Sequence, residues 1–374
     1  MRCGKKQTLL KTLLFTVAAA LVSAGRPAGA QHEAELAHYR RLITRRPNDV
    51  KAHIDYQNLL LKMDRRSQLL KEYRTRLESN PRDARNLYLY ARVHADTEEA
   101  LPYLKRAVAA DANFFLARID LGRAYYHKGD YDYAISQYKA ALKIRSSSAF
   151  AYNLLGLAYY HKGYINQALA EYRRAIRFNK KYSDAYLNLG LTYFYTGKVD
   201  DAIETYQKAL KLKNNRSDHH YIYRNLGMAY ALKGQVDRAE AAYRKALEFV
   251  PDYVDAHTSL GNLAFNRKDF GAAVEAYEKA VAGHPEDGVL RLRLGLAYFN
   301  RENYKNGIRH LRKAIAIDST QTDAYYYLGL AYLNDGQNGL ARKALKTYVL
   351  KEKRTSKNAT VFEVKALIES LKRF

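Results

Sequence analysis

The sequence predicts an all-α solenoid built from copies of one helix-turn-helix unit, and three spacings carry that prediction. Gly122, Gly156, Gly190, Gly227, Gly261, Gly295 and Gly329 recur every 34 residues, with a single interval of 37 between Gly190 and Gly227. A period in this range marks a unit that cannot bury its apolar face alone and must stack on its neighbours. Seven residues after five of these glycines stands another (Gly129, Gly163, Gly197, Gly234, Gly336), where a left-handed backbone closes the first helix without a Cβ clash. Counted from the same glycines, a small residue stands at +12 (Ala134, Ala168, Ala202, Ala239, Ala273, Gly307, Ala341) and a large one at +16 (Tyr138, Tyr172, Tyr206, Tyr243, Tyr277, Leu311, Leu345). Alanine returns at +19 in every unit except the last, where Tyr348 replaces it. These residues fall on one helical stripe, small ones admitting a neighbouring helix and large ones filling the gaps.

The phrases Leu155-Gly156-Leu157-Ala158-Tyr159-Tyr160 and Leu189-Gly190-Leu191-Thr192-Tyr193-Phe194, with the alanines and aromatics that follow, resemble the tetratricopeptide repeat family over nearly all of the chain after residue 33. The resemblance implies a right-handed superhelix that presents a groove to protein partners. Two departures stand out. The family's tryptophan slot, four residues before each glycine, holds Tyr152, Tyr186, Tyr223 and Tyr325 but Arg118, His257 and Arg291 elsewhere, and the chain has no tryptophan. Its closing proline survives only as Pro47, Pro81, Pro251 and Pro285.

In chain order, residues 1–30 read as a signal peptide. Arg2, Lys5, Lys6 and Lys11 precede a short apolar run from Thr12 to Ala24, and Ala28-Gly29-Ala30 forms an A-x-A cleavage site, with Val22-Ser23-Ala24 an alternative. The run is shorter than the ~20 residues a membrane span needs, so no span is expected after cleavage. Residues 31–114 hold a leading half-unit, His32 to Arg46, and two degenerate units in which Gln57 and Ala91 occupy the glycine slot. The second is shortened by three residues, and Leu104 and Ala107 keep register only if the turn near Ala95 to Glu98 is clipped. Residues 115–355 form seven clear units, the 37-residue interval lengthening the linker at 213–218 into the expected weak joint. Residues 356–374 read as a capping helix with Val361, Val364, Leu367, Ile368 and Leu371 on one stripe.

The chain carries a formal charge of +25, and removing residues 1–30, with five cations and no acid, leaves +20. Such an excess draws a protein toward anionic polymers. Much of it follows the second-helix tyrosine, as in Arg173-Arg174 and Arg244-Lys245, and reads as a solvated face. The ends are richer: Arg40-Arg41, Arg45-Arg46 and Arg65-Arg66 in front, Lys351, Lys353, Arg354 and Lys357 behind. The lone cysteine, Cys3, precedes the apolar run, so no disulfide framework or thiolate site is expected in the mature chain.

No phosphate loop, H-E-x-x-H or nucleophile elbow is present, so neither catalysis, a cofactor nor a metal is expected. His219-His220 falls beside the polar linker Asn214-Asn215-Arg216-Ser217-Asp218 and reads as surface loop rather than as a metal site. His127 and His161 recur at one place per unit and read as polar groove residues.

By the resemblance, the groove is lined by the first helix of each unit, at three residues before and one, four and five after each glycine. These positions give an aromatic and aliphatic trough with amides along one edge. The candidate partner-binding residues there and beside them are Tyr126, Asn153, Tyr160, Leu187, Asn188, Phe194, Tyr195, Arg224, Phe265 and Phe299. The Lys and Asn pair of the chaperone-docking subclass is missing. Two readings result. One is a non-catalytic envelope scaffold, exported to the periplasm or beyond, that holds a protein or peptide segment. Exported proteins of the family act in outer-membrane assembly, pilus biogenesis and exopolysaccharide export. The other is a binder of an anionic envelope polymer or nucleic acid, which salt would weaken steeply.

Overall fold

The computed structural model describes residues 28–94, 98–212, 218–353 and 357–371, and of residues 28–30 and 358–359 it describes the backbone alone. Among them are twenty α-helices and no strand. Contacts divide the chain into two compact units, one ending at Phe178 and the other beginning at Asn179. The expected joint at 213–218 lies inside the second unit, and residues 213–217 of it lie outside the described residues, as do residues 1–27 of the leader.

The first unit opens with α1 (Ala28–Arg45), whose Leu36 is buried against the following pair, and continues with four helix pairs. These are α2 (Val50–Lys62) and α3 (Arg66–Ser79), α4 (Ala84–Val93) and α5 (Ala100–Ala110), α6 (Phe115–Lys128) and α7 (Tyr131–Ile144), and α8 (Ala149–His161) and α9 (Ile165–Phe178). The second unit holds five pairs: α10 (Ser183–Tyr195) and α11 (Val199–Leu210), α12 (His219–Leu232) and α13 (Val236–Phe249), α14 (Val254–Asn266) and α15 (Phe270–Gly283), α16 (Gly288–Asn300) and α17 (Tyr304–Ile317), and α18 (Thr322–Asn334) and α19 (Asn338–Lys351). It closes with α20 (Asn358–Ser370), whose Val364, Ile368 and Leu371 join the core of Leu345 and Tyr348. Within each unit the helices of a pair pack together, and the second helix packs on the first of the next pair.

The glycine period is a packing device. Each of the seven glycines lies mid-way along a first helix with the ring or branch of its +16 partner against its Cα, so that a β-carbon would meet Tyr172 at 2.6 Å in one pair and Leu345 at 2.5 Å in another. The flanking alanines, among them Ala134, Ala168, Ala202, Ala239, Ala273 and Ala314, are wholly buried, which lets the helices approach at that depth. Where Gln57 replaces the glycine in α2, its amide is buried and donates to the Leu89 carbonyl at 2.8 Å, so the polar group is satisfied in the core.

The +7 glycines all have positive φ, from 70° at Gly234 to 85° at Gly129. Three pairs lack glycine there and still adopt the left-handed turn, at Asp64 (φ 56°), Lys268 (φ 63°) and Glu302 (φ 62°). The fold imposes the conformation whether or not the residue suits it.

The departures at the tryptophan slot form a pattern of their own. The side chain there reaches back six residues to the carbonyl of the preceding turn: His53 Nε2 lies 3.1 Å from the Pro47 oxygen and His257 Nε2 2.8 Å from that of Pro251. Arg118 Nε donates to Ala112 at 2.6 Å, Arg291 Nε to Pro285 at 3.0 Å, and the Tyr186 hydroxyl to Lys180 at 3.3 Å. Each ties an inter-repeat turn to the next helix and satisfies a carbonyl just past a helix end. Elsewhere the slot stacks on the last residue of its own second helix: Tyr152 on Phe178 at 5.3 Å, Tyr223 on Phe249 at 5.8 Å, and Tyr325 beneath the Lys351 ammonium at 5.7 Å.

The three-residue deletion removes more than a turn. α4 ends two residues after Ala91, whereas α6 runs six beyond Gly122, and α5 starts at Ala100, the residue aligned with Ala134. The last turn of one helix and the first of the next are absent, while Ala100, Leu104 and Ala107 keep their buried register. Residues 95–97 of the connection lie outside the described residues.

One sequence expectation is corrected. His219 is the first residue of α12, only 8% exposed, with its ring edge-on to Phe249 at 5.3 Å, and His220 meets Tyr253 at 5.0 Å. Helix α12 begins one position earlier than its counterparts, which draws His219 inward against the second helix.

Candidate functional site

The groove positions divide by what holds each side chain. At +4, Tyr126, Phe265 and Phe299 are half-buried, each edge-on to the aromatic residue that opens its own second helix: Tyr131 at 5.6 Å, Phe270 at 5.4 Å and Tyr304 at 5.7 Å. Phe299 also meets Tyr327 of the next first helix at 5.8 Å. Burial and the neighbouring Tyr131 push the Tyr126 phenol up, so it acts as a neutral hydrogen-bonding group.

In the first unit, Tyr126 reaches His161 at 5.4 Å, and His161 stacks on Tyr131 at 5.6 Å. His161 is also edge-on to Tyr160, at 5.4 Å. His127 and His161 are thus part of an aromatic row on α6 and α8, and no metal-binding group of His, Cys, Asp and Glu exists among the described residues. Asn153 is buried at 4% exposure. On the same unit, Asp120 accepts from the Tyr88 hydroxyl at 2.9 Å and pairs with Arg92 at 3.6 Å and Arg123 at 3.4 Å.

In the second unit, Leu187, Asn188 and Phe194 are half-buried on α10. Arg224, on α12, donates to Asn225 at 3.0 Å and pairs with Asp255 at 3.7 Å, so its charge is met inside the repeat stack. At +5 the later helices carry amides that bond back to their own helix, Asn300 to Leu296 and Asn334 to Leu330, both at 2.8 Å. The two earlier helices carry apolar residues there instead. Tyr195 and Leu232 are each 62% exposed, at the same position of α10 and α12, the first helices of successive pairs. Leu232 holds a groove position by spacing, and its exposure, equal to that of Tyr195, is what marks it.

Of the cations at the two ends, Arg41, Arg45, Arg46 and Lys353 are exposed, and others are engaged. Arg40 donates to the Tyr56 hydroxyl at 3.2 Å and pairs with Glu72, Arg65 pairs with Glu33, and Arg66 donates to the Val93 carbonyl at 3.3 Å. Lys357 pairs with Asp323 at 3.7 Å, and Arg354 lies outside the described residues. Nothing in this arrangement favours an anionic polymer.

Tetratricopeptide repeat descriptions match residues 182–252, residues 122–163, 159–197 and 295–336, residues 254–282 and residues 323–352. The chain belongs to the tetratricopeptide repeat family, whose fold serves as a protein-interaction scaffold and generally carries no catalysis. None of the curated proteins matches it. Among solved structures it is similar to the APC/C hetero-tetramer Cut9–Hcn1, at 16% identity and TM-score 0.50, covering 86% of this chain and 63% of that one. It is similar to PilF of Pseudomonas aeruginosa at 17% identity and TM-score 0.50, covering 59% and 96%. MamA aligns over 42% of this chain and 91% of its own at 34% identity and TM-score 0.39. The first two likenesses concern the fold alone. No helix among the described residues is long and apolar enough to cross a membrane.

Proposed function

We propose that this protein is a non-catalytic scaffold of the cell envelope that holds a segment of a partner protein along the groove positions of its first helices. The observation that carries this reading is the pair Tyr195 and Leu232. Both stand where the packing of the repeat does not require an apolar side chain, since Asn266, Asn300 and Asn334 fill the same position in later pairs. Two large apolar groups left 62% in water on adjoining helices gain when a partner covers them. Tyrosine adds a rigid contact area and a hydroxyl that can bond a partner's backbone. Phe194, edge-on to Tyr195 at 5.4 Å, extends the aromatic surface a ligand would meet.

Export rests on the basic start, the short apolar run and the A-x-A site of the first thirty residues. Mass spectrometry of protein from its native host is expected to find an N-terminus near Gln31, or Gly25 if cleavage follows Ala24; a retained Met1 in a cytoplasmic fraction contradicts it. The partner is reached by crosslinking in intact cells followed by pull-down, comparing the wild type with a variant carrying Tyr195→Ser and Leu232→Ser. A partner captured by the first and lost by the second supports the reading.

A further inference from the structure

The shortened pair α4–α5 leaves a cleft of about 550 Å³ against α6. Its floor is apolar, with Ala91, Ala100, Leu101, Leu104 and Ala124, and its α6 wall carries the cations Arg123 and Lys128 beside Asp120 and His127. The intact joints show what the deletion removed. At three intact joints the cation six residues after the glycine reaches an acid in the first turn of the preceding second helix, Lys162 pairing with Asp132, Lys233 with Asp200 at 2.5 Å and Arg267 with Asp237 at 2.5 Å, whereas at the joint of Arg301 the first turn of α15 carries no acid.

Lys128 is the cation at that position in α6, and the first turn that would hold its acid is missing from α5. It reaches only its own Asp130, at 3.8 Å, with 57% of its side chain exposed. Glu98 lines the opposite wall and makes no ion pair with it. Next along the helix, Arg123 touches Asp120 through Nη1 alone and is 51% exposed, while Tyr88 and Arg92 hold Asp120 from behind. The α6 side of the cleft therefore offers two cations that are each more than half exposed and met by acids on their own side alone, Asp120 and Asp130, beside a cleft of side-chain size.

We propose that this cleft binds an acidic segment of a partner protein, with an aliphatic side chain inserted over Ala91, Leu104 and Ala124 and a neighbouring Asp or Glu carboxylate received by Arg123 and Lys128. The ligand takes the place of the missing helical turn, and its carboxylate that of the acid this turn carries in α7, α11 and α13. Glu98 sets the orientation, since it repels a carboxylate from the opposite wall and leaves the α6 side as the acid's position. The site deepens the scaffold reading given above and rests on it, but it uses residues of the first unit that the Tyr195 and Leu232 patch does not.

The test is selection of random heptapeptides displayed on phage against the full chain, with counter-selection on Arg123→Glu. Peptides that survive are expected to carry Asp or Glu next to Leu, Ile or Val. Synthetic versions with blocked termini, measured by fluorescence anisotropy, should bind at least tenfold more weakly to Arg123→Glu and to Ala124→Phe, which fills the floor. Binding to the Tyr195→Ser, Leu232→Ser variant should stay within twofold. Replacing the peptide's acid by its amide should abolish binding, and freeing its C-terminus should not strengthen it. Failure to enrich any peptide sensitive to Arg123, or binding by either cleft variant as tight as that of the wild type, overturns the site. Peptides sensitive only to Tyr195 and Leu232 overturn it while leaving the scaffold reading intact. Stronger binding through a free C-terminus would assign the cations to a terminal carboxylate and overturn it as well.

Discussion

A β-carbon placed on Gly122 would lie 2.4 Å from Cε1 of Tyr138, inside the space the ring occupies. The same clash recurs in every clear pair, with Leu311 and Leu345 in place of the ring in the last two, so the period read from the glycines is the period of a large side chain seated on bare backbone.

That contact sets two effects against each other in Gly156→Ala. Helix propensity alone favours alanine by about 1 kcal/mol. Overpacking against Tyr172, which is wholly buried and cannot swing away, costs about 1–3 kcal/mol. The account predicts net destabilisation, seen as a lower urea midpoint at unchanged slope; a higher midpoint would mean that the close approach is not what the glycine is for.

The left-handed turns make the opposite prediction. Lys268 and Glu302 hold φ of 63° and 62°, where a side chain costs about 1–2 kcal/mol and glycine does not. Lys268→Gly and Glu302→Gly should therefore each raise stability by up to about 1 kcal/mol, the flexibility of unfolded glycine offsetting part of the gain. Gly163→Ala, at the same turn with φ of 82°, should lower it. Thermal or urea unfolding of the three variants decides the point, and three changes of one sign would contradict it.

Stability should fall in mild acid through His310. Burial, with Arg309, Arg291 and Lys313 adding to it, holds this imidazole down at about 4. A histidine in the unfolded chain titrates near ~6.5, so the unfolded state takes up the proton first. The contribution is whole above pH 6.5 and is lost as pH falls from there toward 4, on the order of 2–3 kcal/mol. Between pH 7 and 4 the wild type should lose more stability than His310→Gln by that amount. Parallel profiles for the two proteins would refute it.

Much of this was legible in the sequence, for a physical reason. Gly122 with Tyr138, and Ala134 with Ala141, are constrained by contacts inside one helix pair, and such contacts repeat with the period. The groove residues were harder to rank, because an apolar side chain at a groove position either packs on its own pair, as Phe265 does on Phe270, or stays in water, as Tyr195 does. Spacing is blind to that difference. The tryptophan slot is irregular in sequence because its occupants do two kinds of work: Arg118, His257 and Tyr186 donate to a carbonyl six residues back, while Tyr152 and Tyr223 stack on the end of their own second helix. That offset was available to be counted. His219 was misplaced because the polar residues before it suggested a loop, whereas contact with Phe249 draws it into the helix. The shortened unit was found from Leu104 and Ala107, but the cleft it opens depends on which turns were lost, and that only the helix ends reveal.

The most direct measurement of the central claim is the affinity of the crosslinked partner for purified Tyr195→Ser, Leu232→Ser protein. Both side chains are 62% exposed, so the double variant should keep its helical circular dichroism and its urea midpoint. Apolar anchors at the centre of an interface contribute on the order of 2 kcal/mol each, so affinity is predicted to fall roughly a hundredfold or more, and equally at low and high salt. An unchanged affinity in the folded variant, with binding lost instead as salt rises, would contradict the account and place the partner on the charged surface.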